Sequence, residues 1–215
     1  NFTTSDLNQP TFSRVGASSV YLGGALDNTG DTLDAIGEID FVGGSVTGGT
    51  SNVDFNATGS TNEYADAVTL NADLNIGGNH NFRILNGLTL NGTANLTGYS
   101  STLDFEGTQG LSADVGNTAM VNMSYSSSQL RVTNGGTLTL DGTVTIAGQG
   151  YVSDSGTGGA IHNSGLIHAN VNSKNFYISP ATFTNDGTLR ATNSGKLRLA
   201  SGVLENYGIV EISGG

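Results

Sequence analysis

Short stretches in which apolar and polar residues alternate follow one another along the whole chain. "FTNDGTLRA" (183–191) is typical: it holds an apolar residue, an asparagine, a glycine and then an alternating segment. Alternation with a period of two predicts half-buried β-strands, because successive side chains of a strand point to opposite faces. The chain contains no stretch with the 3.6-residue period of a helix, so we expect an all-β protein.

Two motifs repeat within this pattern. The first is Φ-x-N-x-G-x-Φ-x-Φ, where Φ is apolar, and it occurs at "VTNGGTLTL" (132–140), "IHNSGLIHA" (161–169), "FTNDGTLRA" (183–191) and "LENYGIVEI" (204–212). The second is Φ-T-L-[N/D]-x-x-Φ-x-Φ, at "VTLNADLNI" (68–76), "LTLNGTANL" (88–96) and "LTLDGTVTI" (138–146). Each copy indicates a strand, a corner and a second strand.

A repeat of about 20–22 residues without a helix fits one rung of a β-solenoid and is too short for a propeller blade. In a solenoid each strand pairs in parallel with its equivalent one rung away, and alternate side chains fill a central core. We predict a single right-handed parallel β-helix over 1–215, with a capping segment at 1–19, irregular rungs at 20–120 and regular rungs at 121–215. The alternative, an antiparallel sandwich, is expected to use more proline than the two residues present.

The repeated corner residues have a structural explanation in this fold. Asparagine side chains can stack from rung to rung with their amides hydrogen-bonded, and the expected ladder is Asn134, Asn163, Asn185 and Asn206. The glycines two positions later are expected to supply backbone angles that a Cβ atom would forbid, at Gly136, Gly165, Gly187 and Gly208. Function should then lie in the outward-facing columns between these corners.

Aligning the four copies of the first motif predicts two outward columns. One contains Thr133, His162, Thr184 and Glu205, and the other contains Thr139, His168, Arg190 and Glu211. We expect Arg190 and Glu211 to form a pair across neighbouring rungs, which would stabilise the stack by roughly 0.2–1 kcal/mol.

Composition and charge narrow the class of partner. The chain has 33 glycines and no cysteine, which excludes disulfides and thiolate metal sites. Its net charge of −11 arises in residues 1–120, which hold 13 acidic and 2 basic residues. An acidic chain is a poor partner for nucleic acid, and no apolar run reaches the length of a membrane span. The start at "NFTTSD", without Met or an apolar leader, is typical of a mature or excised segment. Few lysines, many Thr and Asn residues and a pI near 4.3 are typical of a secreted or cell-surface bacterial protein.

Candidate chemistry in the sequence is sparse, and we expect no cofactor or metal. His162 and His168 are separated by the Gly165 corner and have no recurring third ligand, while His80 has no evident partner. A polysaccharide-cleaving enzyme would need clustered carboxylates, for which the candidates are Asp40, Asp54 and Asp104. A glycan-binding module would need a row of exposed aromatic residues, for which the candidates are Tyr64, Tyr99, Tyr125 and Tyr151.

The stretches "LDNTGDTL" (26–33), "FTNDGTLRA" and "LENYGIVEI" resemble bacterial secreted β-helix repeat proteins, such as filamentous-haemagglutinin-like adhesins and autotransporter passengers. The resemblance implies a right-handed β-helix exported to the cell surface or matrix, and it supplies no catalytic residues. We therefore expect an extracellular, non-enzymatic adhesin shaft, surface fibre or matrix filament, with head-to-tail self-assembly or a surface glycan or protein as partner. The alternative is a polysaccharide-active enzyme or glycan-binding module on the same scaffold.

Overall fold

The computed structural model describes residues 2–7, 19–34, 37–59 and 63–214, and apart from one short helix, α1 (Thr4–Leu7), its regular elements are β-strands. In chain order the strands are β1 (Phe2–Thr3), β2 (Val20–Leu22), β3 (Ala25–Asp27), β4 (Thr32–Leu33), β5 (Ile39–Phe41), β6 (Ser45–Thr47), β7 (Thr50–Ser51), β8 (Phe55–Ala57), β9 (Glu63–Leu70), β10 (Leu74–Ile76), β11 (Asn81–Leu90), β12 (Thr93–Leu96), β13 (Thr102–Glu106), β14 (Gln109–Ser112), β15 (Ala119–Met123), β16 (Gln129–Thr133), β17 (Thr137–Leu140), β18 (Val144–Gly148), β19 (Gly150–Asp154), β20 (Ala160–Asn163), β21 (Leu166–Ala169), β22 (Asn175–Ser179), β23 (Thr182–Asn185), β24 (Thr188–Ala191), β25 (Lys196–Leu199), β26 (Val203–Asn206) and β27 (Ile209–Ile212).

These strands stack in parallel on three faces of one coil, which confirms the predicted β-solenoid. Face 1 contains β1, β3, β6, the first halves of β9 and β11, β13, β16, β19, β22 and β25. Face 2 contains β4, β7, the second halves of β9 and β11, β14, β17, β20, β23 and β26. Face 3 contains β2, β5, β8, β10, β12, β15, β18, β21, β24 and β27. One rung is one strand from each face, in the order face 1, face 2, face 3.

Rung length varies along the coil. Paired positions on face 3 are 16 residues apart between Ile39 and Phe55 and 27 apart between Ala94 and Val121. From Ile146 to the last rung they are 21 or 22 residues apart. The extra residues of the long rungs lie in the corners, so the three faces stay in register.

The core follows directly from the alternation. In β24 the side chains of Leu189 and Ala191 are buried, while Thr188 and Arg190 face outward and are half-buried. Leu189 continues a column of buried aliphatic residues that includes Ile146 and Ile167. Burying one such side chain contributes about 1.5–3 kcal/mol, so the core columns hold neighbouring rungs together.

Two long strands turn the corner between face 1 and face 2 without leaving the sheet. β9 does so at Ala67, whose φ is 53°, and β11 does so at Asn86 and Gly87, whose φ angles are 57° and 93°. Residues in this left-handed region re-aim a strand locally, as in a β-bulge. As a result, the outward side chains next to this corner belong to continuous strands.

The two ends of the coil differ. At the start, β1 pairs with β3, Leu7 of α1 joins the core, and Leu26 and Leu33 are buried. Of the expected capping segment 1–19, residues 1 and 8–18 lie outside the described residues. At the other end, most apolar side chains of the last rung are exposed, while Leu197 packs partly buried against the core.

Candidate functional site

The three repeated asparagines at 163, 185 and 206 form a ladder at the corner between faces 2 and 3. Asn163 Nδ2 donates to Asn185 Oδ1 at 2.7 Å, and Asn185 Nδ2 donates to Asn206 Oδ1 at 2.6 Å. Each amide also donates to the carbonyl oxygen of the glycine two residues later, at 3.2–3.3 Å. Asn163 and Asn185 are buried, so these bonds satisfy their amide nitrogens inside the coil, while Oδ1 of Asn163 has no partner among the described residues.

Asn134 does not belong to this ladder, and its predicted place there is wrong. It follows β16, at the corner between faces 1 and 2, where it is exposed and has a φ of 56°. The same letters N-x-G occur at two different corners of the rung. A strand-corner-strand motif does not specify which corner of the rung it forms. The copy at 132–140 therefore matches the other three copies in sequence but forms a different corner.

Because the copy at 132–140 forms a different corner, its residues also belong to different outward columns from those predicted. Thr139 pairs with His162 on face 2, and that column continues through Thr184 and Glu205. Thr133 lies on face 1, where it pairs with Glu106. The expected column of Thr139, His168, Arg190 and Glu211 is therefore wrong in its first member.

On face 3, Ala147 precedes His168, Arg190 and Glu211 in one outward column. Arg190 Nε lies 2.6 Å from Glu211 Oε2, and both side chains are partly exposed to solvent. It supports the stack from rung to rung, as a surface ion pair does, by about 0–1 kcal/mol.

The four corner glycines are required for space, and the predicted reason, a special backbone angle, is wrong. None of them has a left-handed φ. A Cβ atom would lie 2.0–2.2 Å from backbone atoms of the preceding rung at each of Gly136, Gly165, Gly187 and Gly208. At Gly187 the clashing atom is the carbonyl oxygen of Gly165, 2.1 Å away. Glycine at these corners lets successive turns approach closely.

The three histidines lie apart and have separate partners. His162 Nε2 on face 2 lies 2.5 Å from Asp186 Oδ2, and His168 Nε2 on face 3 lies 2.9 Å from Thr192 Oγ1. Burial, and secondly the charge of Arg190, lowers the pKa of His168. His80 Nδ1 lies 2.5 Å from the carbonyl oxygen of Gly59. Across the described ranges, no three His, Asp or Glu side chains are placed to hold a metal ion.

The three carboxylates considered for catalysis are not brought together. Asp104 lies on face 1, where it is buried and accepts two hydrogen bonds from Arg131, at 2.7 and 2.8 Å. Asp40 on face 3 accepts from Asn56 Nδ2 at 2.8 Å, and Asp54 accepts the backbone N–H of Asp73 at 2.9 Å. Each of the three carboxylates already serves to join neighbouring rungs.

The candidate tyrosines do not form one aromatic row. Tyr151 stacks on Tyr177 of the next rung with ring centroids 4.7 Å apart and planes at 9°. Arg198 lies 6.0 Å from the Tyr177 ring, and Arg83 lies 5.9 Å from the Tyr64 ring. The facing surfaces of the stacked rings are covered by one another, so a sugar cannot stack there.

Tyr99 and Tyr125 are exposed at corners that lead from face 3 to face 1. Neither has a ring contact within the described residues. They are single exposed aromatic residues on different rungs, which is ordinary for a protein surface.

Sequence reasoning missed two further rows of polar side chains on the first half of the coil. Threonine and serine hydroxyls line face 2 at Thr32, Thr50, Thr69, Thr89 and Ser112. Two residues later in each rung, side chains are hydrogen-bonded in a second row of Asp34, Asn52, Asn71, Asn91 and Asp114. The second sequence motif, Φ-T-L-[N/D], contained the signal for both rows.

A buried carboxyl group was also missed. Glu63 is fully buried at the start of β9, where its Oε1 accepts the backbone N–H of Gly59 at 2.5 Å. Its Oε2 has no partner among the described residues. Burial raises the pKa of Glu63 above its ordinary value. The residue pairs with Phe82 in a core column, so it interrupts an otherwise apolar row.

No family model, curated protein or solved structure matches the chain. Among the described residues, no helix has the length and apolar character needed to span a membrane.

Proposed function

We infer that the chain is a stiff shaft of an extracellular fibre or adhesin, and that it lengthens when a second copy stacks on its last rung. The observation that carries this proposal is the parallel pairing of successive rungs on three faces, up to β25, β26 and β27. The resemblance of its corner motifs to secreted β-helix repeat proteins supports the extracellular assignment.

The stiffness follows from the way the rungs are joined. Each rung is hydrogen-bonded to the next through parallel strands on three faces, as β22, β23 and β24 are to β25, β26 and β27. Side-chain links cross the same gaps, including Asn185 to Asn206 and Arg190 to Glu211. Such a coil resists bending in every direction because each face is tied independently.

The last rung presents the inner cross-section of the coil in the described part of the chain. Leu204, Val210 and Ile212 occupy core columns, since they pair with the buried Phe183, Leu189 and Ala191. In the last rung these three side chains are 44%, 48% and 71% exposed. Beside them, β25 to β27 each pair on one side only within the described residues. Unpaired strand edges with an exposed apolar face are a template for another chain.

The polarity of the ladder favours head-to-tail stacking. The amides donate in one direction, from Asn163 to Asn185 to Asn206, so the next rung must offer an acceptor to Asn206. At the opposite end of the coil, β1 and β2 each pair on one side only in the described part of the chain. β25 would therefore meet β1 on face 1, and β27 would meet β2 on face 3.

Charge supports the same arrangement. Residues 1–120 carry the whole net charge of −11, and the remaining residues carry five acidic and five basic groups. Head-to-tail contact places an acidic end on a neutral one, whereas head-to-head contact would bring two acidic ends together.

The test compares two substitutions on the last rung. Val210→Lys places a charge in the exposed apolar cross-section, whereas Val203→Lys places the same charge on the outward side, because Val203 pairs with the outward-facing Thr182. We expect sedimentation velocity to show concentration-dependent oligomers for the unmodified chain and Val203→Lys, and their loss in Val210→Lys. Sedimentation as a monomer at every concentration by the unmodified chain would overturn self-stacking.

A further inference from the structure

A shallow groove of about 350 Å³ crosses three rungs on face 2, beside the corner at which β9 and β11 turn. Its floor is a column without long side chains, formed by Ala67, Gly87 and Gly110. One wall is the hydroxyl row of Thr69, Thr89 and Ser112. Since successive rungs are about 4.8 Å apart, the groove runs along the coil for about 10 Å.

The three hydroxyls of the wall are free. Among the described residues, none of them makes a side-chain hydrogen bond to the protein. Other threonine hydroxyls do bond, as Thr58 does to the carbonyl oxygen of Phe41 at 2.7 Å and Thr143 does to Asp141 at 2.9 Å. At the rim, Asp66 holds the Asn86 amide at 2.8 Å, which fixes its orientation. The wall therefore presents a fixed row of unused donors and acceptors.

Gly110 is the residue that the fold does not explain. It lies within β14, where glycine weakens a strand and often marks a bulge or a site approached closely by a backbone or a ligand. Its φ is not left-handed, and a Cβ atom there would meet only the Thr139 carbonyl oxygen, at 3.6 Å, an ordinary contact. Neither backbone angle nor close packing requires glycine at this position. Its effect is to keep the floor of the groove open.

We propose that this groove binds a neutral polysaccharide chain lying along the axis of the coil. A short stretch of sugar units offers hydroxyl groups at regular intervals, which match a regular row of hydroxyls and a fixed amide. The volume is at the lower end of the range for ligand sites, about 300–1,000 Å³. This assignment gives the adhesive part of the proposed function its ligand and rests on that function.

Charge and pairing exclude the other polymers. No basic residue lines the groove, and it lies in the acidic half of the chain, which repels anionic glycans. An extended peptide would need a free strand edge, but β9, β11 and β14 are paired on both sides within face 2.

The experiment uses the full chain and isothermal titration with four neutral hexasaccharides, cellohexaose, maltohexaose, chitohexaose and mannohexaose, and with hexagalacturonate as an anionic comparison. We expect at least one neutral hexasaccharide to bind and hexagalacturonate not to bind. Gly110→Leu fills the groove and should weaken binding by about tenfold or more. Thr89→Val removes one hydroxyl without changing shape and should weaken it by about three- to tenfold.

Gly142→Leu is the matched control, because Gly142 is exposed at a corner outside the groove and its Cβ atom would meet only the Ser164 carbonyl oxygen, at 3.8 Å. It should bind as the unmodified chain does, and circular dichroism should show that all three variants fold. The absence of binding by every neutral hexasaccharide, equal binding by Gly110→Leu, or preference for hexagalacturonate would each overturn the proposal. Sedimentation of Gly110→Leu reports separately on the shaft, because the groove and the last rung do not overlap.

Discussion

The side-chain amide of Asn185 donates a hydrogen bond to Oδ1 of Asn206, one rung further along, across 2.6 Å. Nearer the start of the coil the same inward column is apolar, since Leu140 pairs with Asn163 and the column continues through Leu111 and Leu88. The coil thus changes from a leucine column to an asparagine ladder at one corner without a change in register. Because the ladder has a direction, it also gives the last rungs a polarity.

Asn185→Ala should destabilise the last rungs. The substitution removes the acceptor of the buried Asn163 amide and the donor to Asn206, and an unsatisfied buried group costs about 1–3 kcal/mol. Chemical denaturation should show this loss. Asn122→Ala is the control, since Asn122 is exposed and makes no side-chain hydrogen bond among the described residues, and it should shift the midpoint little. Equal midpoints for the two variants would contradict a structural role of the ladder.

Gly187→Ala and Gly142→Ala should differ sharply. At Gly187 the added methyl group would lie 2.1 Å from the carbonyl oxygen of Gly165, so two rungs must move apart. At Gly142 the nearest atom is 3.8 Å away. Overpacking of this kind costs typically about 1–3 kcal/mol, so the thermal midpoint of Gly187→Ala should fall while that of Gly142→Ala stays near the unmodified value. A fall of the same size in both would show that the rungs are not closely stacked at residue 187.

Asp104→Asn tests the ion pair on face 1. Asp104 is buried and binds Arg131 through both oxygens, so loss of its charge leaves the half-buried Arg131 without its partner. We expect a loss of about 1.5–3 kcal/mol in the free energy of unfolding. Arg190→Gln disrupts the more exposed pair with Glu211 and should cost about 0–1 kcal/mol. Measured in the same denaturant series, the loss for Asp104→Asn should be larger than the loss for Arg190→Gln, and the reverse order would contradict this account.

Glu63 should make stability depend on pH in a known direction. Burial raises its pKa in the folded protein above the ordinary value of 4.5, so the folded state holds the proton more tightly than the unfolded state. The stabilising contribution of this group is fully present below pH 4.5 and is lost as the pH rises through the folded pKa. Glu63→Gln cannot titrate, so its free energy of unfolding relative to the unmodified chain should rise between acidic and neutral pH. A difference that stays constant with pH would show that Glu63 is not buried as a carboxyl group.

The sequence alone was enough to predict the β-solenoid, since strict alternation and a repeat near 21 residues leave few other folds. It also identified the corner residues Asn163, Asn185 and Asn206. It did not reveal that "VTNGGTLTL" turns a different corner. Both corners need a glycine, because a Cβ atom there would clash with the preceding rung, so the same N-x-G motif occurs at both. The pairing of Thr139 with His162 became visible only through the register of β17 and β20.

The groove could not be predicted from sequence for a related reason. Its floor joins Ala67, Gly87 and Gly110, whose spacing along the chain is uneven because rung length varies. Glu63 was hidden in another way, since an acidic residue in a short apolar segment reads as an outward position. In both cases the position of the residue depends on which residues of neighbouring rungs are paired, and the local sequence pattern does not determine that pairing.

Cryo-electron microscopy of the purified chain over a series of concentrations tests the central claim, that this chain is a shaft extended by stacking on its last rung. The account predicts filaments in which the strand repeat of about 4.8 Å continues unbroken from β25 and β27 of one copy into β1 and β2 of the next. Isolated rods of one chain length at every concentration, or filaments joined through the sides of the coil, would contradict it.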